Sequence, residues 1–198
     1  RSCFYLSFMK NKVRDPYERV QLIFCLLVAN IVGPKNVQLK QLFNLFTRQT
    51  EAILGVKGFV KTRNPEDLLD LFFMITEVKI FTKNLKDKNK KLSKDLVKFQ
   101  KRLAPLLRGL RLGNGYLTRT HGGDLGLLSI FDTALAESGI KSAPASSDVM
   151  GFERISAGRL ILLVDCAPPP KNYYSKKSHA SCLAFDLTSG QRPIFVNC

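Results

Sequence analysis

The chain has 198 residues, 45% of them hydrophobic, which is enough for one well-filled core or two modest ones and too much for a disordered chain. Its net charge of +15 is unevenly placed: residues 1–110 hold 22 Lys/Arg against 9 Asp/Glu, and residues 111–198 hold 9 against 7. Such a field attracts a polyanion, whether nucleic acid, anionic lipid or acidic polysaccharide, without choosing among them, and the lysine run over residues 83–101 is also what a solvated helix face would carry.

The longest apolar stretch, residues 20–32, is broken by Gln21 and Asn30 and falls short of the roughly 18 residues a membrane span requires, so no span is expected. The chain opens on Arg1 and closes on Cys198 directly after an apolar run, so it reads as a fragment whose leader could have preceded Arg1. Cys3, Cys25, Cys166, Cys182 and Cys198 lie far apart, without a C-x-x-C pair and with only two histidines in the chain. They read as free buried thiols, the alternative being one bridge among the strand cysteines; no metal site is expected.

In chain order, Val20, Ile23, Phe24, Leu27 and Ile31 recur at helical spacing over residues 15–32, and Gly33-Pro34 ends that helix. A second helix is expected from about Asn36 to Leu54 on Leu39, Leu42, Phe43 and Phe46. Asn64 and Pro65 supply the N-cap and first turn of a third, apolar on much of its circumference and therefore expected between neighbours. A lysine-rich link leads to a fourth helix capped by Ser93, with Leu96, Phe99, Leu103, Leu106, Leu107 and Leu110 inward and a kink or break at Pro105. These successive helices fit an α/α hairpin array.

After the turn at Gly113-Asn114-Gly115, residues 116–120 read as extended and residues 124–138 as a helix capped by Asp124. Residues 141–150 suit a linker between a helical domain (1–140) and a strand-rich domain (151–198). Strands are expected at 152–156, 159–166, 182–189 and 192–197, with a tight turn at Ala157-Gly158; the unbroken apolar run 160–164 implies a strand buried on both faces. The loop 167–177, with three prolines and two tyrosines, would wall a cleft just before His179.

The segment from Ser178-His179-Ala180-Ser181 through Phe185-Asp186-Leu187 and Gly190-Gln191-Arg192 resembles the signature that opens the β-sandwich of heparinase II/III-like polysaccharide lyases. Residues 58–66, G-F-V-K-T-R-N-P-E, resemble a loop between toroid helices of bacterial members of that family, with Lys57, Phe59 and Val60 standing where the family has Asp, Gly and His. Residues 107–122 resemble a third family segment, in which His121 falls near the cleft. The resemblance implies the end of an α/α toroid followed by the start of an antiparallel β-sandwich, and β-elimination in a uronate-containing acidic polysaccharide.

His179 inherits the catalytic position from the family, as base or its helper, although Ser181 replaces the family's Asp beside it. Arg63, Asn64, His121, Tyr116 and Tyr174 are the candidate substrate contacts, Arg63 through a fork of donors suited to a carboxylate. No cofactor is implied, and the family weakly favours a periplasmic location. Alongside the functional readings stand plainer ones: Asn64 and Glu66 capping a helix, Arg63 pairing locally, His121 in a solvated loop. A second reading of the whole chain is a non-catalytic protein that binds acidic glycan or nucleic acid through its lysines.

Overall fold

The computed structural model of the chain describes residues 12–33, 39–55, 58–83, 90–179 and 181–197. Among these, the helices α1 (Pro16–Val32), α2 (Leu39–Ile53), α3 (Pro65–Lys83), α4 (Lys90–Leu110) and α5 (Leu128–Ser138) precede the strands β1 (Asp148–Val149), β2 (Phe152–Ala157), β3 (Leu160–Asp165), β4 (Phe185–Ser189) and β5 (Arg192–Phe195). The strands form one antiparallel sheet in sequential order. The architecture is therefore helical and then β, as the sequence indicates. None of the described helices is long and apolar enough to cross a membrane.

Each helix forms where an apolar stripe can be buried. α1 starts where the Asp15 carboxylate accepts the N–H groups of Tyr17 (2.8 Å) and Glu18 (3.2 Å), with Pro16 in its first turn. Its Val20, Ile23, Leu26 and Leu27 are buried. Asn64 Oδ1 accepts from Glu66 N (2.8 Å) and Asp67 N (3.4 Å) at the start of α3, so the expected cap forms. α3 packs against α1, α4 and α5 and buries residues around its circumference, Leu68, Leu71, Phe72 and Ile75 among them. Gln100, fully buried on α4, donates to Thr76 Oγ1 (2.9 Å) and accepts from Lys79 Nζ (2.7 Å), so the polar groups between α3 and α4 satisfy one another.

Several expected boundaries move. α4 begins at Lys90, so Ser93 lies inside it rather than capping it, and the helix runs unbroken through Pro105 to Leu110. α5 begins at Leu128 without a side-chain cap; Asp124 instead accepts from Leu125 N (2.7 Å) and pairs with Arg119. The proposed start at Asn36, and Lys57, Cys3 and Cys198, lie outside the described residues. Cys25, Cys166 and Cys182 are free thiols, but exposed rather than buried: Cys25 lies off the buried stripe of α1, and Cys166 and Cys182 lie outside the strands.

β1 pairs with β2, and Val149 and Met150 are fully buried in the same core as the helices, so the end of the expected linker belongs to the sheet. Gly109 on α4 is part of the reason: a Cβ there would meet Val149 and Pro144. The turn between β2 and β3 is Gly158-Arg159, with Gly158 at φ +57°, one residue beyond the expected position. β4 begins at Phe185 and not at 182.

The sheet has two unlike faces. Phe152, Leu163, Asp165, Asp186 and Thr188 share the buried face, which abuts the helices. Ile155, Leu160, Phe185 and Phe195 lie on the other face and are exposed. The expectation that β3 is buried on both faces is corrected accordingly: its apolar run is continuous, but only one of its sides is covered by the described residues.

Candidate functional site

The buried face of the sheet meets the helical half at a polar knot centred on Asp165. This residue ends β3, where alternation points its side chain inward, and it is 1% exposed. One carboxylate oxygen, Oδ1, accepts from Arg63 Nη2. The other, Oδ2, accepts from Ser181 Oγ at 2.7 Å and lies 2.9 Å from His121 Nε2. Burial by itself raises the Asp165 carboxyl, but hydrogen bonds from His121, Arg63 and Ser181, and the charge of Arg63, outweigh it and hold the group at about 2. Asp165 is ionised at neutral pH and is able to fix the orientation of the imidazole.

Arg63 is buried, and all five of its guanidinium N–H groups have protein acceptors. Beside Asp165 these are the carbonyls of Met150 (3.2 Å), Gly151 (3.2 Å), Ala167 (3.0 Å) and Pro168 (2.8 Å). In this arrangement Arg63 offers no donor to a ligand; it ties the start of α3 to the sheet and holds Asp165. The Phe152 ring lies 5.2 Å from the Arg63 guanidinium and edge-on to His121 at 6.0 Å.

Arg63 (φ +54°) and His121 (φ +52°) both adopt the left-handed backbone that non-glycine residues avoid. That conformation costs of order 1–3 kcal/mol per residue and persists where surrounding contacts impose it. Beside His121, Gly122 (φ +81°) lets the chain meet the 167–181 loop, since a Cβ there would overlap the Lys177 carbonyl. At Gly123 a Cβ would overlap the Asn64 side chain. Two loops distant in sequence are thereby brought onto the His121 ring.

On its open side His121 faces a small cavity of about 30 Å³ that Tyr17, Thr62, Asp67, Tyr173, Tyr174 and Lys177 also line. Burial pushes the Asp67 carboxyl up to about 6, with nearby Asp70 adding to the rise and a hydrogen bond from Thr62 opposing it. The Tyr174 phenol is raised above its ordinary range by burial and then by Asp15, and Lys61 Nζ sits 5.6 Å from its ring centre. The loop expected to wall a cleft does so through a short 3₁₀ turn, Asn172–Ser175.

The structure therefore brings His121, Tyr174, Arg63 and Asn64 to one region, Asn64 as helix cap. Tyr116 is elsewhere, on the turn whose backbone closes against Leu112 and whose strand-like bridge joins Arg111 to Leu117. His179 is exposed on the loop before β4, between Lys177, which lines the cavity, and Ser181, which touches His121 at 3.3 Å. Asp165 and Asp67 escape the sequence reading. Asp165 closes an apolar run, and its guanidinium partner lies 102 residues away, so nothing local marks it; in the fold its Oδ2 accepts from Ser181 Oγ. Among the described residues no group of three or more His, Cys, Asp or Glu side chains is arranged to hold a metal ion.

Comparison with known proteins agrees with the fold of the last third. Residues 140–198 match the family model described as Heparinase II/III-like, C-terminal. The chain is similar to FtsZ-localized protein C of Caulobacter vibrioides, with 26% identity over 152 residues, or 76% of this chain. It spans about a quarter (26%) of that relative's length. No solved structure matches the chain.

Proposed function

With residues 140–198 forming a Heparinase II/III-like C-terminal segment, we propose that the protein carrying this chain cleaves a uronate-containing acidic polysaccharide by β-elimination. The observation that carries the proposal is a histidine oriented by a buried carboxylate in the wall of a tyrosine-lined cavity, where the helical half meets the sheet. Elimination requires three things: neutralisation of the uronate carboxylate, a base for the C5 proton, and a proton for the departing glycosidic oxygen.

His121 suits the base. If Nε2 carries the proton given to Asp165, Nδ1 retains its lone pair, and the imidazolium formed by taking the C5 proton is stabilised by the adjacent anion. Tyr174, whose phenol burial keeps protonated, suits the donor to the leaving oxygen. Lys177 at the cavity wall, whose ammonium lies 3.8 Å from the exposed Glu18 carboxylate, faces the uronate charge in place of the fully engaged Arg63, with the exposed His179 two residues further along the same loop. A volume of about 30 Å³ is the share of one water molecule, so the saccharide contacts the mouth formed by residues 173–177, and the buried His121 takes the C5 proton through a single intervening water. The exposed apolar face carrying Ile155, Leu160, Phe185 and Phe195 supports a β-sandwich, whose facing sheet would cover it, and the helices before it support a toroid.

A second reading, glycan binding without catalysis, draws on the exposed Lys91, Lys94, Lys98 and Lys101, which share one face of α4. The two are separated by incubating the full-length protein with uronate polymers and following the ultraviolet absorbance of the new double bond. The lyase reading expects product, with His121→Ala and Tyr174→Phe each reducing the rate by about 10²- to 10⁴-fold while binding persists. Binding with steep salt dependence and no product establishes the second reading. Loss of all product in His179→Ala, with His121→Ala fully active, returns the base to His179.

A further inference from the structure

The end of α4 meets the turn between β4 and β5 across an open cleft of about 460 Å³ that shares no lining residue with the cavity at His121. Arg108, Arg111 and Arg154 all line it, together with Asn114 and Gln191, and its lining holds no Asp or Glu. Each guanidinium is fixed by backbone carbonyls. Arg108 donates to Ile140 O and to Ser142 O (3.3 Å), and Arg111 Nε to Gly115 O (2.9 Å). Arg154 Nη1 donates to Gly109 O (2.9 Å) and Arg111 O (2.7 Å).

Carbonyls orient a guanidinium without neutralising it. Of these three arginines, Arg111 alone has a carboxylate partner among the described residues, the exposed Asp132 at 2.9 Å. Burial pushes both Arg108 and Arg154 down from the usual guanidinium range. The negative end of α4 accounts for one cation near Gly109 and Arg111, and Arg154 meets that need. Three guanidinium groups lining one cleft, that of Arg111 over the Phe131 ring at 4.6 Å, exceed it. Arg108 Nε, Arg111 Nη2, and Arg154 Nε and Nη2 have no protein acceptor among the described residues, so donors of fixed geometry remain for a ligand.

We propose that this cleft is an oxyanion site that takes the carboxylate or sulfate group of an acidic saccharide, a second contact point on the chain remote from the His121 cavity. It rests on the acidic-polysaccharide reading above but not on catalysis. Planar guanidinium forks recognise such groups in pairs, which a single lysine does not.

The test uses the unmodified full-length protein. Arginines are modified with a dicarbonyl reagent and mapped by mass spectrometry at constant ionic strength, alone and with a sulfated uronate tetrasaccharide, an unsulfated uronate tetrasaccharide, inorganic sulfate or inorganic phosphate. At ten times its dissociation constant, at least one tetrasaccharide should slow modification of Arg108, Arg111 and Arg154 by about tenfold and leave the exposed Arg48 and Arg192 unchanged. The arm that protects distinguishes sulfate from carboxylate. Protection of these three in a protein that forms no unsaturated product upholds this site while removing the lyase reading. Equal slowing of every arginine, protection by inorganic anions but by neither saccharide, or no protection at all overturns the proposal and leaves the three as caps of α4.

Discussion

The two faces of the sheet come from the same strands and obey opposite rules. On the inner face Phe152 and Leu163 pack against helices while Asp165, Asp186 and Thr188 are buried beside them, Asp165 accepting from Arg63, Asp186 from Thr118 Oγ1 and Thr188 Oγ1 from the Gly113 main-chain N–H. On the outer face Ile155, Leu160, Phe185 and Phe195 are apolar and exposed. Hydrophobicity alone thus misassigns both faces. The buried charges tell more than the exposed apolar residues, because a carboxylate is retained in a core only where specific donors offset its desolvation.

The contrast is broken most strongly at Arg63. Arg63→Ala removes the partner of a buried carboxylate and leaves four carbonyls without their donor, so it should destabilise the chain by about 3–5 kcal/mol, measured by urea unfolding. A loss under about 1 kcal/mol would mean that the pair is solvated and the knot does not hold the halves together. Next in size is an apolar comparison across β3 and β2. Leu163→Ala, on the inner face, should cost about 2–5 kcal/mol, whereas Ile155→Ala, on the outer face, should stay within about 0.5–1 kcal/mol in this chain. Equal costs would show that the outer face is covered in solution.

The two carboxyls at the knot and the cavity sharpen the comparison through pH. Asp165 sits below its ordinary value, so its contribution is complete above about pH 4 and is lost as pH falls toward 2. Asp67 is raised to about 6, so the native state favours its protonated form; its charged form destabilises above that pH and the penalty fades as pH falls toward 4. Asp67→Asn should therefore stabilise the protein at pH 7–8, by about 1–3 kcal/mol, and have little effect below about pH 4. A variant that destabilises equally at both pH values would place Asp67 in a charged, satisfied environment.

Much of this fold was legible. The stripes of α1, α2 and α4 and the capping by Asn64 follow from spacing and side-chain chemistry, which are local. What failed was of two kinds. Ser93 and Asp124 are good caps by type, but a longer α4 and the Arg119 contact override them. The expectation of two-sided burial for β3 treated a run of apolar residues as evidence about both neighbours, when the covering of a sheet face is decided by tertiary packing.

The candidate site was legible in its members and not in its connections. Loops and resemblance point to His121, Arg63, Asn64 and Tyr174, but not to Asp165, hidden at the end of an apolar strand, which pairs with Arg63 and lies 2.9 Å from His121. The resemblance directs attention to His179, whereas the buried carboxylate stands beside His121.

Because the chain contains only two histidines, ring nitrogen–proton correlation spectra distinguish them directly. The account predicts that His121 is held as the Nε2–H tautomer, with a slowly exchanging ring proton donated to Asp165 and a bare Nδ1, and that Asp165→Asn removes this signature while leaving His179 unchanged. Two rings that exchange rapidly between tautomers, both indifferent to Asp165→Asn, would contradict it.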